Sequence, residues 1–242
     1  MPSPSIYLSV VMPAYNERES LLDAVAEIER VILSRIPHSE LIVVNDGSTD
    51  QTGAILDRLA RDHSNIRAIH QANAGHGPAL IRGISEARGT FIFVLDSDRQ
   101  IPVEEFQKLW GQIEHHDAVF GVRTRRDDPL VRLVLTRLVR LAIFVLFQVY
   151  IRDSNSPFKL FRQSLWLQFR PLITERTRIP SLLFAIYSRR HRFRVCEIEV
   201  AHRRRTTGIP SLRLFKLLRF SGYALFELGA FWSKNRSRTL PQ

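Results

Sequence analysis

The sequence predicts an α/β fold: a mostly parallel central sheet with helices on both faces. Three observations carry this. Short apolar runs recur through the first hundred residues, stretches with helical apolar spacing separate them, and compact polar clusters close run after run. A chain of 242 residues with 45% hydrophobic side chains can bury a sizeable core, which excludes a disordered or fibrous protein.

Residues 6–12 read as a buried strand ending at Pro13. Residues 18–33 place Leu21, Leu22, Val25, Ile28, Val31 and Ile32 at helical spacing. Residues 41–44 form a second short apolar run, closed by Asn45-Asp46-Gly47-Ser48, and Asp50 is placed to cap a helix running through Leu59. Residues 66–69 add a third strand, residues 78–87 a helix, and residues 91–95 a fourth strand ending at Asp96-Ser97-Asp98. After residues 119–122 the character changes. Residues 130–151 are helical in period, with Arg132, Thr136 and Arg140 at i, i+4 and i+8. Residues 194–201 alternate as a half-exposed strand should, and residues 211–232 are long, apolar and aromatic, with Arg213, Lys216 and Arg219 along one side. We expect one domain over 1–210, with halves at 1–120 and 121–210, and a basic amphipathic helical tail over 211–242.

Charge divides the chain in the same place. Residues 1–120 hold 10 basic and 17 acidic side chains, a net −7, whereas residues 121–242 hold 25 and 7, a net +18. The basic half invites nucleic acid, phosphorylated ligands or an anionic membrane. Cys196 is the single cysteine, which excludes an intramolecular disulfide and a cysteine-rich zinc site. The opening Met1-Pro2-Ser3-Pro4 lacks a signal-peptide layout, and no run reaches the roughly 18 apolar residues of a spanning helix.

In open α/β sheets the ligand crevice lies beyond the carboxyl ends of the strands. The clusters at 13–17, 45–50 and 96–100 all fall there. Asp96 and Asp98 project to the same side of an extended chain, and such a carboxylate pair suits Mg²⁺ or Mn²⁺ bridging to a diphosphate. An isolated Asp-x-Asp is more often a solvated turn; its place after a buried strand favours function. Asp46 can accept hydrogen bonds from a base or ribose, and Tyr15 can stack on a base, although turn chemistry also accounts for both clusters. Gly75-His76-Gly77 opens a helix and could approach a phosphate. Most of the arginines read as surface solvation. Arg123, Arg132 and Arg205 lie at or near element ends, where guanidinium groups could grip phosphate. Dinucleotide (GxGxxG), P-loop and HExxH signatures are missing.

Taken together, VVMPAYNE (10–17), VVNDGSTD (43–50), NAGHGPALIRG (73–83) and VLDSDRQIP (94–102) resemble the family-two glycosyltransferases of GT-A fold. Gly121-Val122-Arg123, Arg132 with Thr136, DSNSPFKLFR (153–162) and Arg205-Thr206-Thr207-Gly208 resemble the polyprenyl-phosphate branch, which includes dolichyl-phosphate mannosyltransferase. The resemblance implies that Pro13, Ala14, Tyr15, Glu17, Asp46 and Asp96 hold a nucleotide sugar. It implies Asp96, Asp98 and Gln100 around Mg²⁺ or Mn²⁺, and Arg123, Arg132, Thr136 and Arg205 around an acceptor phosphate. Asp98, Arg123 and Arg205 would then be the catalytic set. Departures are Thr136 where Ser is usual, Asn155-Ser156-Pro157 before Phe158 where Gly is common, and Pro210-Ser211 in place of Ser-Lys.

The expected activity is inverting transfer of a hexose from a UDP- or GDP-sugar to polyprenyl phosphate, serving a cell-envelope glycan. The expected setting is the cytoplasmic face of an anionic membrane, held peripherally, with room for a homo-oligomer or a membrane-protein partner. A same-fold enzyme with a soluble hydroxyl acceptor is the alternative. A non-catalytic basic module is disfavoured, and nucleic acid is not an expected partner, because the acidic strand-end cluster would repel a polyanion.

Overall fold

The computed structural model describes residues 6–124, 130–153, 156–203 and 214–236, and only the backbone at 130–136, 214–221 and 235–236. Seven strands form one sheet: β1 (Leu8–Ala14), β2 (Ser39–Asp46), β3 (Ile66–Gln71), β4 (Phe91–Val94), β5 (Ala118–Arg123), β6 (Lys159–Arg162) and β7 (Val195–Val200). Their order is β3-β2-β1-β4-β6-β5-β7. Only β6 is antiparallel to its neighbours. The other six share one direction, so their carboxyl ends line one edge, and β6 begins on that same edge.

The helices are α1 (Leu21–Ile28), α2 (Thr52–Asp62), α3 (His76–Glu86), α4 (Phe106–Trp110), α5 (Leu130–Phe147), α6 (Gln163–Phe169), α7 (Pro180–Arg190) and α8 (Leu214–Arg236). β1 and β2 are buried along their whole length, which is why they read as continuous apolar runs. Alternation still sorts their side chains. Val11, Ile42, Val44, Ile92 and Val94 enter the core shared with α3, α7 and α8. Val10, Met12, Leu41, Val43 and Phe93 enter the core of α1 and α4 on the opposite face.

The strands predicted from the sequence are all present, with ends that differ from the prediction by no more than two residues. The helix expected over 18–33 starts at Leu21 and passes at Glu29–Leu33 into a π-type turn that keeps Val31 and Ile32 buried. The N-cap of α2 is Gln51, without a side-chain cap bond; Asp50, expected as the cap, stands one residue before it and accepts the Thr52 amide on Oδ1 at 2.9 Å. The helical period at 130–151 ends at Phe147, with Gln148 at φ 58°. α8 packs on α5 through Phe147 and Phe231, whose rings lie 5.9 Å apart, and buries Ala224 and Leu228 as well.

The start of α3 meets the segment that leads into α7 at a glycine. A Cβ on Gly77 would stand 2.5 Å from the Thr177 carbonyl oxygen and 2.6 Å from that of Arg178. Both obstacles are backbone, so that segment and the start of α3 would have to separate. Gly77→Ala is therefore expected to destabilise the protein by about 1–3 kcal/mol, read as a lower urea midpoint at unchanged m-value.

Candidate active site

The carboxyl ends of β1 and β2 are knitted together before any ligand arrives. Asn16, in the left-handed region at φ 54°, donates its amide to Ser48 Oγ (3.0 Å) and accepts the Thr49 amide on Oδ1 (2.8 Å). The Glu17 amide donates to Thr52 Oγ1 at 2.9 Å, and the Glu17 carboxylate accepts from Ser20 Oγ at 2.6 Å. Pro13 and Ala14 end β1 in the core, while Tyr15 projects with 47% of its surface exposed. An exposed ring beside a strand end can stack on a base at little reorganisation cost.

Asp46 ends β2 at only 4% exposure, and its carboxylate is committed to the chain. Oδ1 accepts from Gln71 Nε2 (2.7 Å) and the Ala74 amide (2.9 Å), and Oδ2 from the Gly75 amide (2.8 Å). It thus holds the 71–75 segment against β2. Gly47, at φ 67°, makes room for this, since a Cβ there would lie 2.5 Å from the Asn73 nitrogen. Gly75, at φ 97°, then turns the chain into α3 so that His76 Nε2 meets Asp96 Oδ1 at 2.7 Å. Asp46 positions the imidazole that grips Asp96, a link between the second and fourth strand ends that sequence spacing does not reveal.

Desolvation in this crevice works to lower the His76 pKa, but Asp96, Asp98 and Asp46 outweigh it and raise the group above its ordinary value. Asp96 shifts the other way. Burial works to raise it, and His76, Arg123 and Lys159 bring it below the usual carboxylate range. Asp98 Oδ1 accepts the Gln100 amide at 3.2 Å. Between them Arg99, at φ 55°, turns its guanidinium away to Asp23 (2.7 Å) and Glu27 on α1.

Asp96, Asp98 and Gln100 line one pocket with Arg123, Phe158 and His202. Arg123, at the end of β5, donates through Nε and Nη2 to the two Asp153 oxygens at 2.7 and 2.9 Å. Both side chains are nearly buried, at 10% and 3% exposure. This bidentate geometry fixes the guanidinium plane on the pocket wall. The Arg203 amide donates to the Gln100 carbonyl at 2.8 Å and so ties the end of β7 to the acidic turn.

The structure therefore gathers Asp96, Asp98, Gln100 and Arg123 at one pocket and sets Tyr15, Glu17 and Asp46 along the adjoining strand ends. Arg205 lies outside the described residues, as do the Arg132 and Thr136 side chains. His202 and Asp153 were missed from sequence. The strand-end rule that found Asp96 applies equally to His202, two residues beyond β7. Among the described residues no three His, Cys, Asp or Glu side chains converge as a cation cage. The pocket's two carboxylates and one amide are hard oxygen-bearing groups of the kind Mg²⁺ and Mn²⁺ accept when phosphate and water complete the shell.

The model of glycosyl transferase family 2 matches residues 9–176. An undecaprenyl-phosphate 4-deoxy-4-formamido-L-arabinose transferase of Pseudomonas aeruginosa is 32% identical over 220 residues, 90% of this chain and 63% of that protein. The chain thus spans less than two thirds of that relative's length. Among solved structures, mannosyl-3-phosphoglycerate synthase from Rubrobacter xylanophilus superposes with a TM-score of 0.70 at 15% identity, over 97% of this chain and 77% of that one. Glucosyl-3-phosphoglycerate synthase from Mycobacterium tuberculosis, crystallised with UDP, gives 0.67 at 19% identity, over 94% and 80%. These two likenesses concern the fold. With a family match over most of its length and the strand-end motifs gathered at one crevice, the chain belongs to glycosyl transferase family 2.

Proposed function

We propose that the protein transfers a hexose from a UDP- or GDP-sugar to polyprenyl phosphate, with inversion at the anomeric carbon. The observation that carries this is the pocket that Asp96, Asp98 and Gln100 line together with the Asp153-clamped Arg123 and His202. A sugar hydroxyl acceptor needs a general base. A phosphate monoester, with a second pKa near about 6, is already an anionic nucleophile at neutral pH. It needs to be held beside the sugar rather than deprotonated, and Arg123, with Arg132, Thr136 and Arg205 expected to join it, suits that work. The similarity to the P. aeruginosa undecaprenyl-phosphate transferase supports the same acceptor class.

Tyr15 would stack on the base, while Pro13, Ala14, Glu17 and the loop anchored by Asp46 would shape the nucleoside cleft. Asp96, Asp98 and Gln100 would hold Mg²⁺ or Mn²⁺, which when bound neutralises charge on the diphosphate leaving group. His76, by gripping Asp96, keeps that carboxylate oriented.

Membrane attachment is part of the proposal. α5 exposes Leu138, Leu141, Phe144 and Val145, and α8 exposes Tyr223, Leu225 and Phe226, the last at 75%. No helix of the described residues is long and apolar enough to cross a membrane. Exposed apolar helix faces in a strongly basic half suit the surface of an anionic leaflet, which we take to be the cytoplasmic one.

The test is incubation with radiolabelled UDP- and GDP-sugars, Mg²⁺ and polyprenyl phosphate. The expected product is an organic-extractable sugar lipid with one of the donors. Label that passes only to water-soluble acceptors would favour the hydroxyl-acceptor enzyme and overturn the lipid reading.

A further inference from the structure

β6 carries a charge where its place in the sheet calls for an apolar residue. Lys159 is in register with Val94 of β4 on one side and Phe120 of β5 on the other. Both partners belong to the core beneath α7, and Lys159 itself is 1% exposed. Burying an ammonium costs several kcal/mol, and an aliphatic side chain of similar volume would avoid that cost.

The hydrogen bonds of this ammonium go to neutral oxygens. Nζ donates to the Ser156 carbonyl and to Ser181 Oγ on α7 (2.7 Å), and the Phe120 ring lies 5.4 Å from it. Ser181 Oγ donates to the same Ser156 carbonyl at 3.3 Å. Ser156 precedes Pro157 and Phe158, which line the pocket, and follows Asp153, which clamps Arg123. The segment that builds one pocket wall is thus pinned at its end by a buried cation.

The charge matters as well as the pin. Arg123 and Asp153 largely neutralise each other, and Asp96 and Asp98 make the facing wall acidic. A diphosphate and a phosphate brought into this pocket add further negative charge. We propose that Lys159 is a positioning residue for the transfer: it fixes the 156–158 wall and supplies the net positive charge that holds phosphate anions beside the acidic pair. This rests on the transferase reading above.

Burial pushes the Lys159 ammonium down to about 8. Asp153, Asp96 and Glu197 act against that shift and Arg123 reinforces it, while Ser181 on α7 presents a neutral hydroxyl. The charge is therefore present at pH 7 and lost as pH rises through about 8. The effect on stability has the opposite sign. A lysine whose folded pKa lies below its ordinary 10.5 is easier to bury neutral, so its contribution to stability improves between pH 8 and 10.5. A loss of function across pH 8 would not be a loss of fold.

The experiment follows two readouts from pH 7 to 9 in the wild type and in Lys159→Met: UDP or GDP affinity by calorimetry, and acceptor kcat/KM with polyprenyl phosphate in detergent. In the wild type both are expected to fall about tenfold over that range, as the protonated fraction of a group with pKa near 8 does. In Lys159→Met both should start about tenfold lower and stay flat, with thermal unfolding little changed. Wild-type profiles that are flat through pH 8 would overturn the proposal whether or not the variant folds. So would a variant that retains the wild-type fall. Nucleotide affinity that falls as described, without any lipid-linked product, would sink the lipid-acceptor reading and leave the role of Lys159 standing.

Discussion

Asp98→Ala is expected to lower kcat by about 10²–10³-fold, the loss typical when one electrostatic contact to a developing charge is removed, while leaving the fold intact. The geometry separates the two effects. The turn at 96–100 does not depend on Asp98 alone: Arg99 is anchored to Asp23 and Glu27 on α1, and the Gln100 carbonyl is held by the Arg203 amide at 2.8 Å. The bond that the Asp98 carboxylate accepts from the Gln100 amide is a long one at 3.2 Å. With the turn held by these other anchors, stability should change by about 0.5–1 kcal/mol. The side chain that disappears is one of two carboxylates facing the pocket, and its charge is what a cation-bridged diphosphate needs. Asp98→Asn makes a sharper control, because it keeps the shape and an acceptor for the Gln100 amide but removes the charge. Steady-state rates over a Mn²⁺ titration provide the check. A deep loss in both variants, unrelieved by excess metal, is the expected outcome, and full activity in either would remove Asp98 from the site.

Much of this arrangement was legible in the sequence because it follows from period and position. Buried parallel strands read as apolar runs, and each such run ends where the crevice must lie, so Tyr15, Asp46, Asp96 and Asp98 could be placed near one another without knowing any contact. The use each side chain is put to was not legible. Asp46 reads as a group for a nucleoside, yet three donors from residues 71–75 occupy its carboxylate. That bonding depends on a loop conformation set by Gly47 and Gly75, which no periodicity encodes. β6 escaped for another reason. Its four residues KLFR pair with β4 and β5 in a direction opposite to every other strand, and so short a run gives no alternation to detect. Lys159 and Asp153, which shape the pocket from beneath and beside it, went unassigned because their partners lie on β5 and α7, far away along the chain.

Asp153→Ala should be among the most damaging single changes to stability, at about 3–5 kcal/mol. The cost comes from what it leaves behind. Arg123 is 10% exposed and gives two hydrogen bonds to Asp153, at 2.7 and 2.9 Å, with the Arg123 amide adding a third at 3.3 Å. Deleting the carboxylate takes two short hydrogen bonds and the neutralising charge from a nearly buried guanidinium, and it also lifts the through-space attraction that helps keep Lys159 charged. For a chain of this length the loss corresponds to a fall in Tm of about 6–20 °C. A paired replacement separates burial from function. Arg123→Met with Asp153→Leu removes both charges and fills the space, so it should recover most of the stability, as replaced buried ion pairs often do. It should recover none of the activity, because the pocket then lacks the guanidinium proposed to hold the acceptor phosphate. Calorimetric Tm values for the single and double variants, set beside transfer rates to polyprenyl phosphate, decide the matter. A double variant that is stable and active would show that the Arg123–Asp153 pair has no part in the transfer, and a single variant as stable as the wild type would show that the pair does not hold the fold.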